Sequence, residues 1–81
     1  MSNLAKMLKN YLEFYHISQE KLAKTIGVSQ VIVGAWCNGN RIPSGENIIK
    51  LSLATDLKEE ELIKAYFDDI KEQLSKTETG E

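Results

Sequence analysis

Residues 19–38, QEKLAKTIGVSQVIVGAWCN, carry the pattern that decides the fold of this 81-residue chain. The stretch holds two short segments with apolar residues at helical spacing, separated by Gly27, which can adopt the positive φ of a tight turn. Ala23 is small enough for the point where two helices cross. The apolar residues that we expect to face inward are Leu22, Ile26, Val28, Val33 and Trp36. The stretch therefore predicts two short helices that bury a shared face around a turn.

Helical patterns continue on both sides of this stretch, and together they predict an all-α bundle of five helices with an extended C-terminal helix. A first helix is expected over residues 3–15 and a fifth over about 59–75. Three serines are good N-caps for the helices between them: Ser18, Ser29 and Ser44. A chain this short forms one domain, which we assign to residues 1–75. Residues 76–81 lack apolar anchors and are expected to form a disordered tail.

Composition narrows the possible functions. The net charge is −2, but residues 1–43 hold five basic and two acidic side chains, whereas residues 44–81 hold five basic and ten acidic ones. This asymmetry suggests a mildly basic face and an acidic end, although both halves could simply be solvated. The chain has one cysteine and one histidine, which cannot supply the four ligands of a structural zinc site, so no metal and no cofactor are expected.

Other classes of protein are also disfavoured by the sequence. There is no glycine-rich phosphate loop and no recognisable pair of catalytic acids or nucleophile with its base, so we do not expect an enzyme. No apolar run approaches the roughly 20 residues of a membrane span, and the N-terminus lacks a signal peptide's apolar core. A cytoplasmic protein is therefore expected.

The twenty-residue pattern resembles the helix-turn-helix of the phage-repressor/Cro family, and the resemblance covers residues 8–62. Residues 17–23, ISQEKLA, are similar to that family's entry into the unit, and residues 38–44, NGNRIPS, are similar to the loop after its recognition helix. The resemblance implies a five-helix domain that binds a double-stranded DNA operator as a homodimer. The function that it implies is a sequence-specific transcriptional regulator, with repression as the expected role.

The family resemblance makes the third helix the one that enters the major groove, where its outward side chains reach base edges. Gln30 is its long polar side chain and can pair bidentately with adenine. Val31 and Ala35 can contact a thymine methyl group. Gly34 costs about 1 kcal/mol of helix propensity relative to alanine. A glycine at this position either permits close approach of the helix backbone to DNA or reflects neutral drift.

Contacts with the DNA backbone are implied for a second set of residues. The resemblance places them on Gln19, Ser29 and Asn38, and on Arg41 unless that residue is an ordinary solvated arginine. One further position bears on this interpretation. Family members often have glutamate where this chain has Cys37, which leaves the loop geometry open, and a lone cysteine there is better explained as a packed apolar residue than as a redox switch.

The fifth helix predicts a dimer interface. Leu62, Tyr66, Ile70 and Leu74 follow one another at four-residue steps, flanked by Ile63 and Phe67. One stripe can close the domain's own core, but a helix that reaches Leu74 outruns that core and needs another cover, which a partner subunit would supply.

A second function remains open on the same fold. The outer face of the third helix is unusually apolar and contains no basic residue, and the C-terminal half is acidic. These features favour a protein-interaction module, such as an antitoxin or a phage anti-repressor, whose partner would be another protein.

Overall fold

The computed structural model describes residues 2–79 and the side chains of residues 2–75, and within them the chain forms five helices and no strand. The helices are α1 (Asn3–Tyr15), α2 (Gln19–Ile26), α3 (Gln30–Asn38), α4 (Gly45–Ala54) and α5 (Glu59–Thr79). This order confirms the predicted all-α, five-helix architecture. Within the described part of the chain, no helix is long and apolar enough to cross a membrane.

Serine side chains begin the first four helices. The hydroxyls of Ser2, Ser18, Ser29 and Ser44 each accept a hydrogen bond from the backbone N–H three residues later, at 3.0–3.3 Å. Each bond satisfies one of the N–H groups that the first turn of a helix leaves without a partner, and such a cap contributes about 1 kcal/mol. The caps predicted at Ser18, Ser29 and Ser44 are confirmed.

Residues in the left-handed conformation end the first three helices. Gly27 and Gly39 have φ of 77° and 78°, which glycine adopts without steric cost. His16 ends α1 with φ of 55° and is the only described residue other than glycine with positive φ. These sharp ends allow three helices to fold back on one another within the first forty residues.

The core lies where α1, α2, α3, α4 and α5 meet. Its most deeply buried members are Leu8, Val33, Cys37, Leu51 and Leu62, all of which are 0% exposed. Trp36 is 2% exposed and is the largest side chain in this cluster. The two helices of residues 19–38 therefore do not stand alone: α3 packs against α1, α2 packs against α4, and α5 packs against both α1 and α4.

A buried carboxylate attaches the start of α1 to α5. Asp69 is 5% exposed and accepts hydrogen bonds from the Ser2 hydroxyl at 2.7 Å and from the backbone N–H groups of Asn3 at 2.8 Å and Leu4 at 3.0 Å. The carboxylate thus caps a helix that lies 65 residues or more away in sequence, where the partial positive charge of the N-terminus also favours an anion. The sequence pattern did not predict this contact.

The other end of α1 is attached to the loop between α4 and α5. The phenol hydroxyl of Tyr15 donates a hydrogen bond to the carboxylate of Asp56. This hydrogen bond to Asp56 raises the pKa of Tyr15, because ionisation of the phenol would remove the proton that it donates to the carboxylate. Both ends of α1 are therefore bonded to the C-terminal part of the chain.

The fifth helix differs from its prediction in two respects. It extends to Thr79, four residues beyond the predicted end at Ser75, since residues 59–79 contain no glycine or proline. The disordered tail predicted for residues 76–81 stays a prediction, because the side chains of residues 76–79 and the whole of residues 80 and 81 lie outside the described part of the chain. The second difference is that Leu62, predicted at a dimer interface, lies wholly within the core.

The burial of Leu62 has a geometric cause. A helix turns by about 100° per residue, so residues at four-residue steps drift by about 40° at each step. Three such steps from Leu62 lead from the core side of α5 to Leu74, which is 56% exposed. The apolar residues that face away from the core are Ile63, Phe67, Ile70 and Leu74, and we call them the α5 stripe; Ile70 is half-buried and the others are exposed.

Candidate nucleic-acid interface

The turn between α2 and α3 is fixed by backbone hydrogen bonds. The N–H groups of Gly27 and Val28 both donate to the carbonyl oxygen of Ala23, at 2.9 and 3.0 Å. Ser29 then caps α3 by accepting from the N–H of Ile32. Only two residues, 27 and 28, separate the end of one helix from the cap of the next, so the direction of α3 is set by a short, fully bonded connection.

The inner faces of the two helices pack as the sequence predicts. Leu22, Ala23 and Ile26 of α2 and Val33 and Trp36 of α3 are all buried. Val28 is half-buried in the turn and packs against the same cluster. These six residues are therefore unavailable to a ligand, and any recognition must use the outward residues of α3 and its flanking loop.

The first turn of α3 presents two of the predicted base-reading residues to solvent. Gln30 is exposed, and Val31 is 82% exposed, although it is a large apolar side chain. Gln30 offers an amide donor and acceptor, and Val31 a methyl surface, at the end of the helix that would enter a groove first. The other two predicted base-reading residues, Gly34 and Ala35, are half-buried.

Gly34 has a neighbour that the sequence could not reveal. A Cβ atom added at Gly34 would lie 3.2 Å from Oε1 of Gln19, which is the first residue of α2. A separation this short is tighter than ordinary van der Waals contact, so a side chain at this position would press on the Gln19 amide. A side chain at position 34 would therefore require the Gln19 amide to shift by a few tenths of an ångström, and this contact is compatible with both close approach to DNA and neutral drift.

Four residues are predicted to contact the DNA backbone. Three of them lie on the protein surface, and the fourth is partly covered. Ser29, Asn38 and Arg41 are exposed, whereas Gln19 is half-buried beside α3. The hydroxyl of Ser29 accepts a helix-capping bond and still has its own proton to donate. The set brackets α3, with Ser29 before it, Asn38 as its last residue and Arg41 after it.

The loop after α3 is well defined in spite of the cysteine at position 37. The N–H groups of Asn40 and Arg41 both donate to the carbonyl oxygen of Ala35, at 2.9 and 3.3 Å, and Gly39 closes the helix. Cys37 is fully buried in the core, and this burial raises the pKa of its thiol, while the charge of Lys9 acts in the opposite direction. The expectation that Cys37 is a packed apolar residue is confirmed.

The basic side chains around α2 and α3 differ in whether a carboxylate already pairs with them. Lys24 pairs with Glu20 at 3.8 Å on the exposed side of α2. Within residues 2–75, Arg41 and Lys21 form no ion pair. Among the basic side chains of α2 and of the α3–α4 loop, those of Lys21 and Arg41 therefore remain available to an anion.

Two short helices, α2 and α3, are joined by a fixed turn and packed through a shared buried face, which is the arrangement of a helix-turn-helix. The comparison with family models agrees, because the helix-turn-helix model matches residues 8–62, more than half of the chain. The chain belongs to this family, of the phage-repressor/Cro type, and is a DNA-binding helix-turn-helix regulator. No curated protein and no solved structure matches it.

Proposed function

We propose that this protein is a sequence-specific transcriptional regulator that represses by binding an operator as a homodimer. The observation that carries the proposal is the outer face of α3, where Gln30 and Val31 are exposed while Val33 and Trp36 on the opposite face are buried. The buried face thereby fixes the position of α3, with Gln30 and Val31 turned toward solvent. Gln30 reads a base in the major groove, and Val31 contacts a thymine methyl group.

The backbone contacts of this proposal bracket the reading helix. Ser29 and Gln19 contact phosphates at the N-terminal side of α3, and Asn38 and Arg41 contact them at the C-terminal side. Contacts with phosphate fix the register of the helix on the duplex, and contacts with bases then choose the sequence. Ala35 lies partly covered beside them, and Gly34 lies next to the Gln19 amide.

The α5 stripe supports the dimer. Its members lie at steps of four, three and four residues, which is the spacing of a helix seam that packs against another helix. Phe67 and Leu74 are 57% and 56% exposed, so a second copy would cover them, while Tyr66 is half-buried against the domain's own core. Leu62 is excluded from this interface by its burial. Two linked domains would place two recognition helices on one palindromic operator.

The experiment that tests this function is the selection of bound sites from random duplex DNA. We expect a short palindromic consensus, because each half-site is read by one α3 of the dimer. We also expect the affinity for the selected site to exceed that for a scrambled duplex by about 10³-fold or more. Equal affinity for the two duplexes would contradict sequence-specific regulation.

A second candidate function has an observation in its favour. Val31 is 82% exposed on a helix that has no basic residue, and an apolar surface of this kind also suits a protein partner. In that case the domain would act as a protein-interaction module, such as an antitoxin or an anti-repressor. DNA binding that is weak and indifferent to sequence, together with loss of partner binding in Val31→Asp, would favour this function instead.

A further inference from the structure

An open groove of about 540 Å³ lies between α1, the α3–α4 loop and α5. At one end of the groove the α3–α4 loop lies close to α1. A Cβ atom added at Gly39 would be 3.5 Å from Cβ of Ser2 and 4.0 Å from Cβ of Ala5. The loop that follows the reading helix is therefore packed against the first turn of α1. The groove is a direct continuation of the surface that carries Asn38 and Arg41, which both line it.

The groove is basic along the side formed by α1 and the loop. Lys6 and Lys9 lie on one side and Arg41 on the other, and within residues 2–75 none of the three forms an ion pair. This availability contrasts with Lys24 and Lys50, which pair with glutamates on their own helices. Three cationic side chains thus converge on one groove without an acidic partner among the described residues.

Amide side chains add neutral donors to the same groove. Asn10, Asn38 and Asn40 all contribute to its lining. The acidic residues in the lining are Asp69 and Glu72, both on α5. The oxygens of Asp69 accept three hydrogen bonds from the start of α1, and Glu72 is exposed, so the groove sets three cations against two carboxylates, of which one is already engaged by α1. The groove is accordingly suited to an anion with several acceptor oxygens.

We propose that Lys6 and Lys9 extend the DNA-contact surface from the helix-turn-helix unit onto α1, where they bind phosphodiester groups of the operator. This proposal rests on the proposed function and adds residues that the helix-turn-helix pattern does not include. Lys and Arg neutralise phosphates and release the counterions condensed around duplex DNA. Since Arg41 and Asn38 line both the groove and the proposed backbone contact, a strand that passes along the loop also passes Lys6 and Lys9.

The test is a salt titration of DNA affinity with a double variant, Lys6→Ala/Lys9→Ala. The matched control is Lys58→Ala/Lys64→Ala, which removes the same charge from two exposed lysines of the C-terminal half that lie outside the groove. Each variant is titrated against the selected and the scrambled duplex at several salt concentrations. Circular dichroism and sedimentation verify that both variants keep the helical content and the oligomeric state of the wild type.

We expect the groove variant to lower the slope of log affinity against log salt by about two units per bound protomer, because each phosphate contact contributes about 0.9. The loss should be the same on both duplexes, since phosphates carry no sequence information. The control should leave the slope unchanged.

Two results would overturn the proposal separately from the function on which it rests. A wild type that binds the selected duplex in a salt-dependent way, with the groove variant indistinguishable from the control, would exclude Lys6 and Lys9 while leaving the regulator intact. A loss confined to the selected duplex would also contradict phosphate binding by these lysines. A wild type without salt-dependent DNA affinity would remove both proposals.

Discussion

Two helices of this protein, α3 and α5, each bury one face in the core, but their outer faces carry side chains of different size. The nine residues of α3 bury Val33, Trp36 and Cys37 and expose Gln30 and Val31, with Gly34 and Ala35 half-buried. The 21 residues of α5 bury Leu62, Ala65 and Asp69 and expose large apolar side chains along the α5 stripe. Each helix therefore holds the domain together with one face and leaves the other exposed.

The difference between the outer faces indicates which partner each one suits. A face with a single long amide and small neighbours fits into the major groove, which admits one helix and is read by hydrogen bonds. A face of isoleucine, phenylalanine and leucine at seam spacing gains more from the apolar surface of another helix. The comparison predicts that inward substitutions on both helices affect folding, whereas outward substitutions affect binding to two different partners.

The largest effect is expected from the inner face of α3. Trp36→Ala should lower the free energy of unfolding by about 3–5 kcal/mol, because truncation of a buried aromatic residue removes burial and leaves a cavity. A domain of this size should then be largely unfolded in the absence of DNA. The outward control on the same helix is Val31→Ala, which should change stability by no more than about 0.5 kcal/mol. Urea denaturation followed by circular dichroism measures both, and equal losses would contradict the division of α3 into two faces.

The next largest effect is expected from the outer face of α5. Phe67→Asp should convert the dimer to a monomer with little change in helicity, because it places a charge on the α5 stripe where a second copy would have to bury it. Operator affinity should fall by about 10²–10⁴-fold once the two recognition helices are no longer linked.

The control for the dimer is Leu53→Asp on α4, since Leu53 is 81% exposed and lies outside the α5 stripe. This variant should stay dimeric in sedimentation equilibrium. A wild type that sediments as a monomer at high concentration, or a control that dissociates as readily as Phe67→Asp, would exclude the α5 stripe as the interface.

A smaller effect is expected from the inner face of α5. Asp69→Ala should lower the free energy of unfolding by about 2–3 kcal/mol, because hydrogen bonds to a charged group are lost and the N–H groups of Asn3 and Leu4 keep no side-chain acceptor. Asp68→Ala removes the same charge from the neighbouring position and should have little effect. Chemical denaturation of the two variants provides the comparison, and equal stabilities would show that the buried carboxylate contributes nothing beyond its charge.

Much of the fold could be predicted because its signals are local. Ser18, Ser29 and Gly27 each fix a helix boundary through bonds to residues at most four positions away, and such bonds depend on residue type alone. The inner faces of α2 and α3 follow from helical spacing in the same way. The family comparison confirms the assignment that these local signals support.

The remaining features depend on tertiary contacts, which spacing does not determine. Asp69 bonds to residues 65–67 positions away, and its only signal in the sequence is an acidic residue in line with Leu62 and Ala65 on the core side of α5. The short distance between Gly34 and the Gln19 amide arises only when α2 and α3 have packed. Leu62 was predicted at the interface because it is four residues before Tyr66. A helix repeats every 3.6 residues, however, so positions at successive four-residue steps do not stay on one face.

The central claim is that the outer face of α3 reads DNA sequence, and the most direct measurement is the paired titration of Gln30→Ala and Arg41→Ala against the selected and scrambled duplexes. Gln30→Ala should lose about 1–3 kcal/mol of binding free energy on the selected duplex and almost none on the scrambled one, because its hydrogen bonds belong to one base. Arg41→Ala should weaken both duplexes alike and lower the salt slope by about one unit. If Gln30→Ala binds the selected duplex as tightly as the wild type does, Gln30 does not read a base and the claim is contradicted.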